Sequence, residues 1–126
     1  GEALEIETTK GENPWDSALS GPFIPPVNKG DTILMTYWAK TINGPGDVAS
    51  VGIQLAQEPY SALSTRSETL SSEWKQYYIS AVADRDYSPE ELGFTLQVAG
   101  AKQTLSVGPI LALNFGQNVP VSRLPH

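Results

Sequence analysis

Short runs of alternating apolar and polar residues, separated by clusters of turn-forming residues, recur along most of the chain and constrain its fold more than any other feature. The clearest run is 32–41, where Ile33, Met35 and Tyr37 share one face and Trp38 lies on the other. This period of two residues is typical of β-strands. No segment of ten or more residues has a helical period. The sequence therefore predicts an all-β protein, with short strands arranged as a sandwich or a barrel.

Seven such runs are predicted as strands. The turn-forming cluster 43–47 predicts that the runs on either side of it pair as a hairpin. Residues 58–72 are polar and are interpreted as a long loop, with a short strand near 67–70. Gly108-Pro109 interrupts the last run, which indicates an edge, a bulge or a corner. The runs are 3–9, 15–19 (a strand or an irregular edge), 32–41, 48–57, 74–82, 92–99 and 104–115.

Aromatic residues are assigned by the same alternation. Tyr78 and Tyr87 are predicted to be exposed, because they are out of phase with the apolar residues or lie in a loop. The aromatic residues in phase with buried aliphatic ones are predicted to lie in the core: Tyr37, Trp74, Phe94 and Phe115.

Most catalytic side chains are missing from the sequence. It has no cysteine, and its only histidine is His126, the last residue. A Ser–His–Asp triad, a Cys–His pair and a histidine-rich metal site are therefore excluded. Pairs of carboxylates occur, but each falls in a turn or on a polar strand face, whereas a glycosidase needs one carboxyl group in apolar surroundings. Rings, amides and carboxylates displayed on strands suit recognition, so we expect a binding module and not an enzyme.

The charge distribution argues against two classes of partner. The net charge is −6, and the eight Lys and Arg residues are dispersed, so neither nucleic acid nor an anionic membrane surface is expected to bind. No run of about 18 apolar residues predicts a membrane span. The length of 126 residues predicts one domain, which we place at 1–116, with 117–126 as a tail or linker. The chain opens directly into a strand, which suggests a piece of a longer protein.

Several short motifs, taken in order, resemble carbohydrate-binding modules of the family 4/9/22 type. The resemblance covers about residues 1–116 and implies a jelly-roll β-sandwich of two antiparallel sheets. It also implies a module that binds polysaccharide, is joined to a bacterial glycoside hydrolase such as a xylanase or cellulase in the same chain, and is secreted or periplasmic. The motifs are Gly1 to Ile6 (Gly-x-Ala-Leu-x-Ile), Asn13 to Asp16, Lys29 to Asp31, Trp38 to Lys40, Gln54, Pro59-Tyr60, Glu73 to Tyr77 and Leu92 to Ala99.

The sequence departs from the family pattern at two places. The family opens with one more strand, which is absent here, so we expect an exposed strand edge that can pair with a partner or a second copy. The family's last strand carries an Asp that helps to hold a structural calcium ion, whereas this chain has Leu105 to Ile110 without a carboxylate. Calcium needs several oxygen ligands. We therefore expect no cofactor. Structural calcium is the one cofactor that the resemblance would imply, and its carboxylate ligand is missing here.

Five residues are candidates for binding a polysaccharide, because sugars offer C–H faces to aromatic rings and hydroxyl groups to amides. Tyr60 follows Pro59 at the head of a loop. Gln54, Gln97 and Trp38 lie on the strand faces turned away from the core. Trp15 lies in a Pro-flanked turn. The three aromatic candidates also have structural interpretations: Trp15 and Tyr60 as residues that pack within or under their loops, and Trp38 as a residue covered by the missing strand or by a neighbouring domain.

The predicted ligand is a neutral plant β-glycan, either xylan or β-glucan, since a negative chain disfavours acidic polymers. Two other functions remain open. The module could brace a catalytic domain without binding glycan, or it could be the small part of an enzyme whose active site lies at a domain interface.

Overall fold

In the computed structural model, which describes residues 4–9, 11–12, 18–23, 26–57 and 59–117, the protein is a sandwich of two four-stranded antiparallel sheets. In the described ranges no helix is long and apolar enough to cross a membrane. The strands are β1 (Leu4–Thr8), β2 (Ala18–Pro22), β3 (Thr32–Asn43), β4 (Asp47–Leu55), β5 (Ala62–Thr69), β6 (Lys75–Val82), β7 (Leu92–Gln97) and β8 (Gln103–Asn114).

The strand order is that of a jelly roll. Sheet I has the order β1-β8-β3-β6, and sheet II has the order β2-β7-β4-β5. Apart from the β4–β5 hairpin, every connection carries the chain from one sheet to the other, so the two sheets are formed together from interleaved strands. The predicted all-β jelly-roll fold is confirmed.

The core lies between the inner faces of the two sheets. Tyr37 is the largest fully buried side chain, and its ring stacks on that of Tyr77 with 5.5 Å between centroids. Burying such apolar surface supplies most of the stabilisation that folding requires. The fully buried side chains alternate along the strands as the sequence predicts, and they include Ile33, Met35, Val48, Val51, Ile53, Leu92, Leu96 and Leu105.

The predicted hairpin between β3 and β4 is wrong. These two strands belong to different sheets: β3 pairs with β6 and β8, while β4 pairs with β5 and β7. The turn-forming cluster 43–47 does reverse the chain, but the reversal crosses the sandwich. A turn signal in the sequence indicates where a strand ends and carries no information about its hydrogen-bonding partner.

Strand β5 occupies most of the segment that was interpreted as a long loop. It is the edge strand of sheet II, and its Ser- and Thr-rich sequence gives little alternation because few of its side chains are buried. Strand β2, at the other edge, is also shifted from the predicted run 15–19, of which 15–17 lie outside the described residues. Edge strands are where period-two patterns are weakest, since only one side is paired.

The interruption at Gly108-Pro109 is a β-bulge. On β3, Tyr37 pairs with Ile110 and Ala39 pairs with Val107, so two residues of β8 lie opposite Trp38 alone. Strand β8 is not an edge strand, because β1 pairs with its first half, from Val107 to Gln103. Among the described residues its second half pairs with β3 only.

Two aromatic predictions are wrong. Trp74 was predicted in the core but is 42% exposed, because it lies just before β6 and so outside the alternation of that strand. Tyr87 was predicted exposed but is 5% exposed, because its loop folds over the end of the sandwich and forms a β-bridge with Val27. Phe115 is only partly buried.

Candidate functional site

The outer face of sheet II, which is turned away from the core, carries a grid of small uncharged residues. The pairing of the strands defines three rows across β2, β7 and β4, and β5 continues the first two. Every position in these rows is a glycine, proline, alanine or an uncharged polar residue. The rows are Pro22, Gly93, Gln54 and Ala62; Ser20, Thr95, Gly52 and Thr65; and Ala18, Gln97 and Ser50.

A depression of about 380 Å³ lies over the first two rows of this face. Tyr60 and Gln54 are among its lining residues, together with Ser20 and Thr95. We call this depression the groove. It is open to solvent along a polar sheet surface, which suits a chain-like ligand better than a small enclosed molecule.

Glycine residues make the floor of the groove low. Gly93 and Gly52 occupy outward positions on the two central strands, so at these two positions no side chain rises from the sheet, and the side chains beside them belong to Gln54 and Thr95. Strands β2 and β7 also approach closely here, since a Cβ on Gly93 would lie 2.8 Å from the carbonyl oxygen of Gly21. A Cβ on Gly52 would have only ordinary contacts of 3.5 Å or more. Packing thus requires Gly93, whereas Gly52 has room for a methyl group beside Gln54 and Thr95, two residues that line the groove.

Tyr60 forms a wall of the groove at the tip of the β4–β5 connection. Its side chain is 52% exposed, and its backbone has a φ of 57°, a left-handed conformation that is uncommon for a non-glycine residue. The turn is held by hydrogen bonds from the Tyr60 N–H to the Gln57 oxygen (2.9 Å) and from the Leu55 N–H to the Ser61 oxygen (2.9 Å). The ring is therefore displayed to solvent on a fixed turn.

Hydroxyl groups on the floor are paired with one another across the strands. The oxygens of Ser20 and Thr95 are 3.3 Å apart, and those of Ser50 and Thr65 are 2.8 Å apart. Among the described residues, the Gln54 amide has no such partner. Its oxygen lies 3.5 Å from the position that a Cβ on Gly52 would take, so the amide reaches along the floor. It is free to donate to and accept from a ligand hydroxyl.

Of the residues that the structure describes, none that lines the groove is charged. General acid–base cleavage of a glycosidic bond needs two carboxyl groups on either side of that bond, and no lining residue supplies one. The chemistry available from the described lining residues is stacking on the exposed ring of Tyr60, apolar contact with the partly buried ring of Phe94, and hydrogen bonding to the Gln54 amide and to the hydroxyls of Ser20 and Thr95.

The structure brings some of the candidate residues together and separates others. Tyr60 and Gln54 both line the groove, and Gln97 lies on the same face of sheet II in the third row. Trp38 lies on the outer face of sheet I, on the opposite side of the sandwich, so it cannot belong to the same groove. Trp15 lies outside the described residues. Alternation in the sequence predicts that both Trp38 and Gln54 face outward, because it shows on which face of its strand a residue lies. It does not show to which sheet the strand belongs.

Sequence reasoning missed Ser20, Gly93 and Thr65 as parts of this face. Ser20 and Thr65 lie on the two edge strands whose bounds the sequence left uncertain. Gly93 does have a sequence signal, since a glycine within a strand marks a close approach of another backbone.

Charged residues cluster instead around the loop 84–91. A hydrogen bond from Tyr87 lowers the pKa of Asp84, and burial followed by this bond raises the pKa of Tyr87 to about 12. A 2.9 Å bond from Arg85 lowers the pKa of Glu91, and the Arg85 guanidinium lies 4.0 Å from the centre of the Tyr87 ring. These contacts fix the loop against the end of the sandwich and lie outside the groove.

The described residues do not fit the calcium site that the resemblance implies. Within the described ranges, no group of three or more His, Cys, Asp or Glu residues is placed to hold a metal ion. The stretch Leu105 to Ile110 also offers no carboxylate.

The fold is shared with carbohydrate-binding modules of known structure. One, described as "CBM4 structure and function", superimposes with a TM-score of 0.74 at 14% identity, over 89% of this chain and 70% of that one. The N-terminal cellulose-binding domain of Cellulomonas fimi β-1,4-glucanase C superimposes with a TM-score of 0.66 at 17% identity, over 88% of this chain and 77% of that one.

The same fold also occurs inside a much longer chain. An arabinose-bound α-L-arabinofuranosidase, MgGH51, superimposes with a TM-score of 0.64 at 13% identity, over 89% of this chain but only 19% of that one. No protein-family model matches the sequence, and no curated protein is similar enough to count as a relative. The structural likeness therefore confirms the resemblance at the level of the fold.

Proposed function

We propose that this chain is a non-catalytic module that binds a neutral polysaccharide in the groove on sheet II. The observation that carries the proposal is the combination of an exposed ring, Tyr60, an amide without a hydrogen-bond partner in the described part of the chain, Gln54, and a floor whose described residues are uncharged. The C–H face of a sugar ring stacks on an aromatic side chain, and its hydroxyls exchange hydrogen bonds with amides and hydroxyls. Carbohydrate-binding modules are among the structures that share this fold, which supports a glycan-binding function.

The ligand we propose is a plant β-glycan, either xylan or β-glucan. The described lining residues offer no counter-charge for an acidic polymer, and the net charge of −6 adds a weak repulsion. Gln97, in the third row of the same face, would extend the contact along the glycan. Trp15 stays a candidate for a second stacking ring.

The role we propose is to hold a parent glycoside hydrolase, in the same longer chain, near its substrate. Tethering raises the local concentration of substrate, so weak binding by a single groove is enough. A bacterial secreted or periplasmic location follows from this role, since plant polysaccharides do not enter the cytoplasm.

Affinity electrophoresis of the chain in gels that contain xylan, β-glucan, glucomannan or no polymer tests the proposal. We expect one polymer to retard the chain, and Gln54→Ala and Tyr60→Ala each to reduce the retardation. The control is Asn43→Ala, which removes an exposed amide at the end of β3 in sheet I. Equal migration in all four gels would remove the proposal.

The second candidate is a module that braces a catalytic domain. The specific observation in its favour is the outer face of sheet I, where Leu111 is 54% exposed and Leu113 is 41% exposed. Apolar side chains of this size are usually covered when they are adjacent. The enzyme MgGH51, which contains the fold as a minor part of its chain, is the corresponding precedent. A failure of all four gels would favour this candidate.

A further inference from the structure

Two exposed tryptophans meet on the outer face of sheet I, on the side of the sandwich opposite the groove. Trp38 is 43% exposed and Trp74 is 42% exposed. They meet over Gly108, because a Cβ on that glycine would lie 3.2 Å from the Trp38 Cβ and 3.7 Å from Cζ3 of the Trp74 ring. Both tryptophans therefore lie against the same glycine. We call Trp38, Trp74 and Gly108 the two-tryptophan surface.

Both tryptophans are positioned by their surroundings. The bulge at Gly108-Pro109 lies opposite Trp38, and bulges commonly re-aim a side chain on the neighbouring strand. The ammonium group of Lys40 lies 5.2 Å from the centre of the Trp74 ring, within the range of a cation–π attraction. The rings are therefore held in place before any ligand binds, which lowers the entropy lost on binding.

A ladder of polar groups runs beside these rings. Gln76 is the cross-strand neighbour of Trp38. The Gln76 Nε2 donates to Thr36 Oγ1 at 3.0 Å, the Tyr78 hydroxyl donates to Gln76 Oε1 at 2.8 Å, and Thr36 in turn donates to the Tyr77 carbonyl oxygen at 3.0 Å. The amide of Gln76 is thus fixed, with one N–H and one lone pair still available.

We propose that the two-tryptophan surface is a second binding surface for a neutral glycan, separate from the groove. The rings offer stacking faces to the C–H faces of sugar units, and the adjacent Gln76 amide and Tyr78 hydroxyl offer hydrogen bonds to their hydroxyls. The choice of a glycan as ligand rests on the proposed function, whereas the location rests on sheet I alone. Because the two sites face opposite directions, one module would contact two glycan segments.

The immediate neighbours of the tryptophans favour a glycan over a docked protein. Trp38 is flanked by Gln76 on one side and by the backbone of Gly108 on the other. The exposed leucines lie in other rows: Leu111 is beside Thr36, and Leu113 is beside Leu34. Protein interfaces have apolar centres with polar rims, whereas here polar groups lie directly against the rings.

Tryptophan fluorescence tests this proposal, because the chain has only three tryptophans. In a Trp15→Phe variant, all tryptophan emission comes from the two-tryptophan surface. We expect the emission to shift on addition of soluble xylan, β-glucan or glucomannan. The shift should persist in the groove-less chain, which also carries Gln54→Ala and Tyr60→Ala. In that groove-less chain, Trp38→Ala with Trp74→Ala should weaken glycan binding about tenfold.

A second measurement, which keeps Trp15, is available if Trp15→Phe does not fold. The three indole N–H resonances are resolved by NMR, assigned through single Phe substitutions, and followed during the same titrations. Movement of the Trp38 and Trp74 resonances in the groove-less chain supports the proposal.

Two results would overturn the inference and leave the groove proposal standing. One is a gel shift that depends on Gln54 and Tyr60 while the emission and resonances of Trp38 and Trp74 stay constant. The other is emission that changes with protein concentration and not with glycan, together with a dimer in light scattering that Leu111→Lys abolishes. That result would make the surface an interface between two copies. Gel retardation that is unaffected by Gln54→Ala and Tyr60→Ala, with Trp38 and Trp74 still responding to glycan, would overturn the groove proposal instead.

Discussion

The two outer faces of this sandwich are built from strands of the same jelly roll and differ in almost every other property. The face of sheet II has no charged residue in its three rows and has two glycines at its centre. The face of sheet I carries Trp38 and Leu111, both exposed, with Lys40 beside the aromatic rings. One face is low and polar, and the other is raised and apolar.

This difference predicts two kinds of recognition. A groove lined by an amide and hydroxyls binds through directional hydrogen bonds, so it distinguishes glycans by the positions of their hydroxyls. Stacking on indole rings requires only a C–H face, so it tolerates different sugars. We therefore expect selectivity among glycans to come from sheet II, and weaker, less selective adhesion to come from sheet I.

Removal of both ligand-directed side chains in the groove should give the largest effect. We expect Gln54→Ala combined with Tyr60→Ala to lower affinity for a soluble glycan about 100-fold, since a hydrogen-bonding amide and a stacking ring contribute about 1–1.5 kcal/mol each. Isothermal titration calorimetry with a soluble oligosaccharide measures this loss.

The matched control for this double variant is Trp38→Ala combined with Trp74→Ala. It removes more aromatic area, yet it should leave the affinity of the groove for a short oligosaccharide unchanged, because the rings lie on the other sheet. A larger loss from the tryptophan pair than from the groove pair would reverse the assignment of the two faces.

Paired glycine substitutions should give a smaller and separable effect. Gly52→Ala places a methyl group on the groove floor with contacts of 3.5 Å or more. We expect the thermal midpoint to hold or rise, since alanine restricts the unfolded chain. We expect groove affinity to fall at least about fivefold, because overpacking by one methyl group costs about 1 kcal/mol or more.

Gly108→Ala is the counterpart on sheet I. Its Cβ would lie 3.2 Å from the Trp38 Cβ, so Trp38 must shift by a few tenths of an ångström, and its methyl group would be in contact with the Trp74 ring at 3.7 Å. We expect weaker glycan binding by the groove-less chain and no change in groove affinity, with both read by calorimetry. If either glycine substitution changed glycan affinity on both faces, the two faces would be coupled through the core and not independent.

The sequence predicted the faces of the strands but not their sheets. Alternation correctly turned Ile33 and Ile53 inward and Trp38 and Gln54 outward. It could not show that Trp38 and Gln54 lie on opposite sides of the molecule, because a period of two residues describes one strand and its pairing depends on contacts distant in sequence. The jelly-roll order came from the resemblance and not from periodicity.

The candidate site was predictable only in part for a related reason. Tyr60 and Gln54 carry distinctive side chains and were singled out. The floor of the groove consists of residues such as Ser20 and Thr65, whose side chains are ordinary in any loop or edge strand. Their importance lies in what surrounds them, which only the three-dimensional arrangement shows.

Acid should weaken the end of sheet I selectively. The side chain of Asp31 accepts hydrogen bonds from Asn114 (3.0 Å) and from the Asn28 N–H (2.9 Å), and these lower the pKa of Asp31 below its usual value. A carboxyl group whose pKa is lower in the folded state stabilises the fold fully above its unfolded pKa of about 3.9, and the stabilisation is lost as the pH falls through the lowered value. We expect the thermal midpoint to drop below about pH 4.

Asp31→Asn tests this acid dependence. The variant should have a lower midpoint at pH 7 and a smaller further drop on acidification, measured by circular dichroism. A residual drop should remain, because the pKa values of Asp84 and Glu91 are also lowered by hydrogen bonds. Glu73→Gln, which removes an exposed carboxylate, is the control for net charge. Identical acid profiles for the original chain and Asp31→Asn would contradict the role given to this residue.

Ionic strength should have the smallest effect of all, and on the groove almost none. Salt weakens binding when ion pairs form or when long-range charge attracts the ligand. The described residues that line the groove are uncharged, and the proposed ligand is neutral, so its affinity should change less than about twofold between 0.01 M and 1 M salt. Calorimetry at the two salt concentrations measures this. A steep fall in affinity would mean that the bound polymer is acidic and contacts charged residues outside the groove, which would change both the ligand class and the face that binds it.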